Sequence, residues 1–164
     1  MKTLLKTSII VALFALAGAS SLLLPAKACR AEPINAVLNA MAYDHELSIK
    51  INGIHLSKID GGRSQSVRLF LTDDPAIKEL PAEMQQSMKQ LFCLKEGDNT
   101  IEISVKPRQG VTPQGQMTIS IQACNYDVPV LEYAQDPSVK ERTVTGTFQV
   151  FPQPPAGFKT LVLK

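Results

Sequence analysis

The chain has 164 residues, with 17 Lys and Arg against 15 Asp and Glu, and 45% of its residues are apolar. That length makes one domain with a real core, and the near-neutral balance gives no support to a nucleic-acid or anionic-membrane surface. Two His, three Cys and no Trp leave little material for metal, redox or aromatic-platform chemistry.

The N-terminus reads as an export signal. Lys2 and Lys6 precede an apolar run, Ile9–Ala17, and Ala26-Lys27-Ala28 puts small residues at −3 and −1 of a cut after Ala28. Residues 1–28 match a bacterial-type secretory signal, with Ala31 as the alternative cut. Ile9–Leu24 is 16 residues, short of the roughly 20 that a retained spanning helix needs. Cys29 stands where a lipid-modified cysteine would be, but Ala26 and Lys27 depart from the usual lipobox. Loss of residues 1–28 takes away Lys2, Lys6 and Lys27 and no acid, leaving 14 basic residues against 15 acidic. The expected location is the periplasm or the exterior. Membrane attachment is expected only if Cys29 is lipidated or the signal is retained.

Residues 29–42 read as a lead-in, compatible with a short helix, a tether or an edge strand. A single domain is expected over 43–164. Leu47–Ile51 alternates, Asn52-Gly53 supplies a type I′ turn, and Ile54–Ile59 forms the second arm. This register sets Ile51 against Ile54 and Lys50 against His55. Ser66–Thr72 is a nearly continuous apolar strand, central or capped by the segment that follows. Residues 76–93 change period. Met84, Met88, Leu91 and Phe92 share one face of a helix at about 82–92, with the methionines expected in the core.

The clearest strand follows. Leu94-Lys95-Glu96-Gly97-Asp98-Asn99 turns into Ile101, Ile103 and Val105 alternating with Glu102, Ser104 and Lys106. The pattern Leu-Lys-x-Gly-x-Asn-x-Ile-x-Ile-x-Val over Leu94–Val105 resembles a strand entry of secreted β-sandwich accessory domains, including sugar-binding domains attached to glycosidases. The resemblance covers about a dozen residues. It implies a fold and carries no functional residue across.

After a Pro- and Gly-containing loop at 107–115, Met117–Cys124 alternates again. Asn125–Val139 is irregular, with Val128–Leu131 as an edge strand. Arg142–Phe151 is a Thr-rich strand, 152–155 a stiff Pro-rich connector, and Phe158–Lys164 the last strand. The expected fold is all-β: an antiparallel two-sheet sandwich of seven or eight strands, immunoglobulin-like or jelly-roll, with one inserted helix and no βαβ alternation. In an oxidising compartment Cys93 and Cys124 form the expected disulfide, on the view that 101–106 folds back on 116–124.

No catalytic constellation emerges. There is no Gly-x-Ser-x-Gly, phosphate loop, dinucleotide fingerprint or Cys-x-x-Cys. Asp44-His45-Glu46 splits across the two faces of a strand, His55 faces away from His45, and both histidines read as solvated, so no metal site is expected. Asp73-Asp74 and Glu96/Asp98 read as turn residues rather than a carboxylate pair for glycoside hydrolysis. No cofactor is implied. The leading expectation is a non-enzymatic module binding another periplasmic or envelope protein through sheet edges, the helix or residues 152–164. The alternative is a carbohydrate or small-ligand domain using Tyr126, Tyr133 and loop 107–115, and a hydrolase ranks last.

Overall fold

The alternating segments become ten strands in the computed structural model, which describes residues 34–164. The expected signal at 1–28, its cut site and Cys29 lie outside the described residues. The strands are β1 (Asn35–Met41), β2 (His45–Ile51), β3 (Ile54–His55), β4 (Ser64–Leu71), β5 (Phe92–Leu94), β6 (Gly97–Pro107), β7 (Met117–Ala123), β8 (Leu131–Gln135), β9 (Arg142–Val150) and β10 (Leu161–Leu163). Two helices, α1 (Ala76–Glu79) and α2 (Ala82–Met88), and a 3-10 turn at Lys89–Leu91 separate β4 from β5. One sheet has the order β10-β8-β7-β1-β4-β5 and the other β3-β2-β6-β9. Leu38, Leu69, Ile119 and Ile121 from the first share one buried cluster with Ile49, Ile51, Ile101, Ile103 and Phe148 from the second. Among the described residues no helix is long and apolar enough to cross a membrane.

β6 is the longest strand, at 11 residues, and pairs with β2 on one side and β9 on the other. Its inward set sits directly against that of β2, with Ile101 opposite Ile51, Ile103 opposite Ile49 and Val105 opposite Leu47. Each such fully buried side chain is worth roughly 1.5–3 kcal/mol of transfer free energy. On the outer face Lys50 meets Glu102 at 2.7 Å, but both side chains are partly exposed, so that pair adds about 0–1 kcal/mol at most. The Asn-Gly turn and its register form as expected, with Asn52 and Gly53 at φ of 50° and 79° and Lys50 facing His55, but the second arm is a strand only over Ile54–His55 and not to Ile59.

A polar knot joins this hairpin to the start of β6. Asn99 is fully buried. Its Oδ1 accepts from Asn52 Nδ2 at 2.9 Å and from Lys95 N at 2.8 Å. Its Nδ2 donates to Lys95 O at 2.8 Å and Gly97 O at 2.9 Å. Asn52 Nδ2 also donates to Cys93 O at 2.8 Å, and Asn52 Oδ1 accepts from Thr100 N at 3.0 Å. The Asn52 side chain thereby ties β5 to β6, and Asn99 ties it to the turn that joins those two strands.

Several expectations change. Of the readings open for the lead-in, residues 35–41 form a strand, but an interior one between β4 and β7 and not an edge. Two neighbour pairs, β4 with β5 and β8 with β10, are parallel, so the chain is not purely antiparallel. The helical insert exists for the first of them, since parallel neighbours need a crossover of a dozen or more residues. The expected helix stops at Met88 and its apolar face is divided. Ile77, Leu80 and Met88 rest on the core, whereas Met84 is 47% exposed. The 3-10 turn redirects Leu91, and Phe92 enters β5 and stacks on Phe70 at 5.0 Å.

Cys93 and Cys124 are not joined. β6 does not fold back on β7, because the two lie in different sheets. Cys124 N donates to Asn35 O, Asn35 is opposite Phe70, and Phe70 is opposite Phe92, next to Cys93. Three strand spacings separate the two cysteines, roughly 14 Å, about twice what a disulfide spans. Cys93 is instead a fully buried thiol, and burial pushes it up to about 12. The unfolded thiol ionises near its ordinary value of 9.0. Its contribution to stability is therefore complete below that pH and is lost as pH climbs towards 12. Urea unfolding should show the wild type losing up to roughly 1.4 kcal/mol per pH unit between pH 9.5 and 11.5, relative to Cys93→Ala. Equal pH slopes for the two proteins would refute the buried thiol.

Candidate functional site

One end of the domain gathers exposed apolar and cationic side chains on tied loops. β1 places Ala36, Leu38 and Ala40 inward, so Met41 points out, and after buried Ala42 the next residue, Tyr43, points out as well. Met41 is 47% and Tyr43 59% exposed. The turn from β1 to β2 is fixed by Gly62 N, which donates to Ala42 O at 2.6 Å and His45 O at 3.0 Å, and by Ala42 N, which donates to Arg63 O at 3.4 Å. Asp44 holds the loop between β6 and β7. Its carbonyl accepts from Arg108 N at 3.0 Å and its Oδ2 from Gln114 N at 3.0 Å. Val111, on the same loop, is 40% exposed.

Three of the six large exposed apolar side chains among the described residues, Met41, Tyr43 and Val111, thus belong to this end. Two arginines stand beside them. The Arg108 guanidinium lies over Gly62, its Nη1 3.0 Å from where a Cβ would be, so any side chain at 62 displaces it. Arg63 is exposed. Among the described residues the ion pairs are Lys50–Glu102 and Lys106–Glu46, so neither arginine is neutralised by one. Tyr, Met and Arg are the side chains enriched in protein interfaces, and loops already fixed by hydrogen bonds present them at little further entropy cost.

His45 lies beneath this end. It is 1% exposed, and its Nε2 is buried without a hydrogen-bond partner. The expectation of a solvated histidine fails because His45 begins β2 on the inward parity of Leu47, Ile49 and Ile51. His55 is exposed, on the outer parity with Lys50. Among the described residues no group of three or more His, Cys, Asp and Glu could hold a metal ion.

The tyrosines expected to form a ligand platform are both buried, Tyr126 at 6% and Tyr133 at 2%. Tyr126 meets Phe158 edge-on at 4.8 Å, and its hydroxyl accepts from Phe151 N at 3.0 Å. Tyr133 falls on the inward parity of β8, and its hydroxyl donates to Gln135 Oε1 at 2.6 Å. Neither offers an open ring for stacking a sugar. Asp74 Oδ1 accepts from Ala76 N at 2.9 Å and Asp98 Oδ1 from Gln149 Nε2 at 2.7 Å, so those acids serve a turn and a strand pair. Of the four sheet edges, β3, β5 and β10 span two or three residues, and only β9, with nine, is long.

Tyr43 was legible. The alternation Ala36, Leu38, Ala40, Ala42 assigns Met41 and Tyr43 to the outer face, once 35–42 is read as a strand with small inward residues. Comparison with protein-family models, with curated proteins and with solved structures finds no match for this chain.

Proposed function

We propose that this protein is an exported, non-enzymatic module, a two-sheet β-sandwich that binds another periplasmic or envelope protein through the end bearing Met41, Tyr43, Arg63 and Arg108. Export rests on the signal-like segment at 1–28. Binding rests on one observation: exposed Met41, Tyr43 and Val111 sit on hydrogen-bonded loops beside two arginines in no ion pair. That set combines apolar anchors with cations suited to an acidic rim on the partner.

The test is capture from a periplasmic extract with wild type, Tyr43→Ala and Arg108→Ala in parallel, followed by titration of the purified partner. Both substitutions are at exposed positions, where stability changes stay within about 0.5 kcal/mol. Tyr43→Ala is expected to weaken the partner's binding about 30-fold or more and Arg108→Ala about tenfold, with circular dichroism unchanged. A partner retained equally by both variants, or none captured by the wild type, sinks the proposal.

A further inference from the structure

We infer a second site, for a small amphipathic carboxylate, in the cavity where β10 stops alongside β8. β10 pairs with β8 only from Leu131 to Tyr133, whereas β8 runs on to Gln135. Arg142, at the start of β9, stands across the gap. The resulting cavity is about 690 Å³, within the range of small-molecule pockets. Ile119, Tyr133, Val139 and Leu163 supply apolar wall.

Polar groups converge on it. Tyr133 and Gln135 are each 2% exposed and are joined by the hydroxyl–amide hydrogen bond, while Gln135 Nε2 donates to Val139 O at 3.4 Å. Both side chains are almost wholly covered and form the floor, which leaves Arg142 as the main polar group open to a ligand. Arg142 is exposed, and its side chain makes no hydrogen bond or ion pair among the described residues; its charge still reaches the cavity, since burial pushes the Tyr133 phenol up and the guanidinium draws it back. Of the other charged residues lining it, Asp136 turns Oδ1 to its own loop, accepting from Ser138 N at 2.8 Å, Glu132 stands on the exposed parity of β8, and Lys164 adds a second cation.

The chemistry selects the ligand. A planar guanidinium without a partner matches a planar carboxylate, and the apolar wall matches a hydrocarbon body. Glu132 and Asp136 repel a polyanion more than a monoanion. Tyr133 here is part of the wall, not a stacking platform.

Decanoate and 1-decanol are the probes, titrated into the exported protein below the decanoate micelle concentration and followed by amide NMR shifts. Decanoate is expected to saturate, to shift β8, β10 and Arg142, and to bind at least about tenfold more tightly than decanol. Arg142→Gln should remove most of the difference between decanoate and decanol, with Lys164 retaining the remainder, and leave decanol unchanged, while Arg142→Lys keeps more of it. Tyr43→Ala should leave decanoate binding intact, which separates this site from the partner-binding end. No saturation, equal affinity for acid and alcohol, indifference to Arg142→Gln, or shifts centred on Tyr43 would each overturn the assignment.

Discussion

Replacing Asn99 with leucine is expected to destabilise the protein by about 4 kcal/mol, although leucine has similar bulk and the site is fully buried. The reason is the number of groups left behind. Asn99 uses both lone pairs of its amide oxygen and both amide protons, on Asn52, Lys95 and Gly97. Leucine strands all of those partners, and each buried orphan costs about 1–3 kcal/mol, reduced where the turn can open to water. Asn99→Asp should be no milder: it keeps the shape but turns a charged oxygen towards two carbonyls, Lys95 O and Gly97 O. Asn52→Gly retains the left-handed turn and removes only the side chain, and should cost about 2 kcal/mol. The double variant should cost less than the sum, since the two amides share one network. Urea unfolding checks all four. A loss below about 1 kcal/mol for Asn99→Leu would mean that backbone pairing alone holds this corner.

Asn99 also shows what the sequence makes legible. Its parity with Ile101, Ile103 and Val105 already places it on the inward face, and the Gly-x-Asn turn marks the head of the strand. Local patterns of this kind carry over well: the Asn-Gly hairpin, its register and the alternation of β6 and β7 all appear in the structure. Pairing between distant segments does not. Nothing local says that β6 and β7 belong to different sheets, and the Cys93–Cys124 bridge was inferred from the opposite assumption. Turn residues on both sides give 125–139 an irregular reading, yet Leu131, Tyr133 and Gln135 alternate as buried strand positions, which is why Tyr133 lies inside. The Tyr43 end is non-local. Residues 41–44, 62–63 and 108–114 are joined by hydrogen bonds at Ala42 and Asp44 and by Arg108 lying over Gly62, and those contacts have no sequence signature.

The second large effect is expected at Gly61, where alanine should cost at least about 4 kcal/mol or prevent folding. Gly61 has φ of 81°, a conformation that costs a side-chain-bearing residue about 1–2 kcal/mol by itself. The added methyl would also lie far inside contact distance of the His45 carbonyl oxygen and 3.1 Å from Leu47 N. Those atoms are β2 backbone and cannot rotate aside. They are held by the Glu46–Gly61 bridge, by Leu47 N donating to Asp60 O at 3.2 Å and by Gly62 N donating to His45 O at 3.0 Å. Relief requires 60–62 to leave β2, which releases Ala42 and, through Asp44, the loop that carries Arg108 and Val111. Gly53→Ala is the control: its φ is 79°, yet nothing lies within 4 Å of the new methyl, so it should cost only the backbone term, about 1–2 kcal/mol. Hydrogen exchange at the amides of Leu47 and Gly62 separates the two outcomes. In Gly61→Ala both amides should lose protection and the proposed partner binding at Tyr43 should fall with them, while in Gly53→Ala both persist. If the two alanines prove equally mild, the close approach of Gly61 to β2 does not hold the Tyr43 end in place.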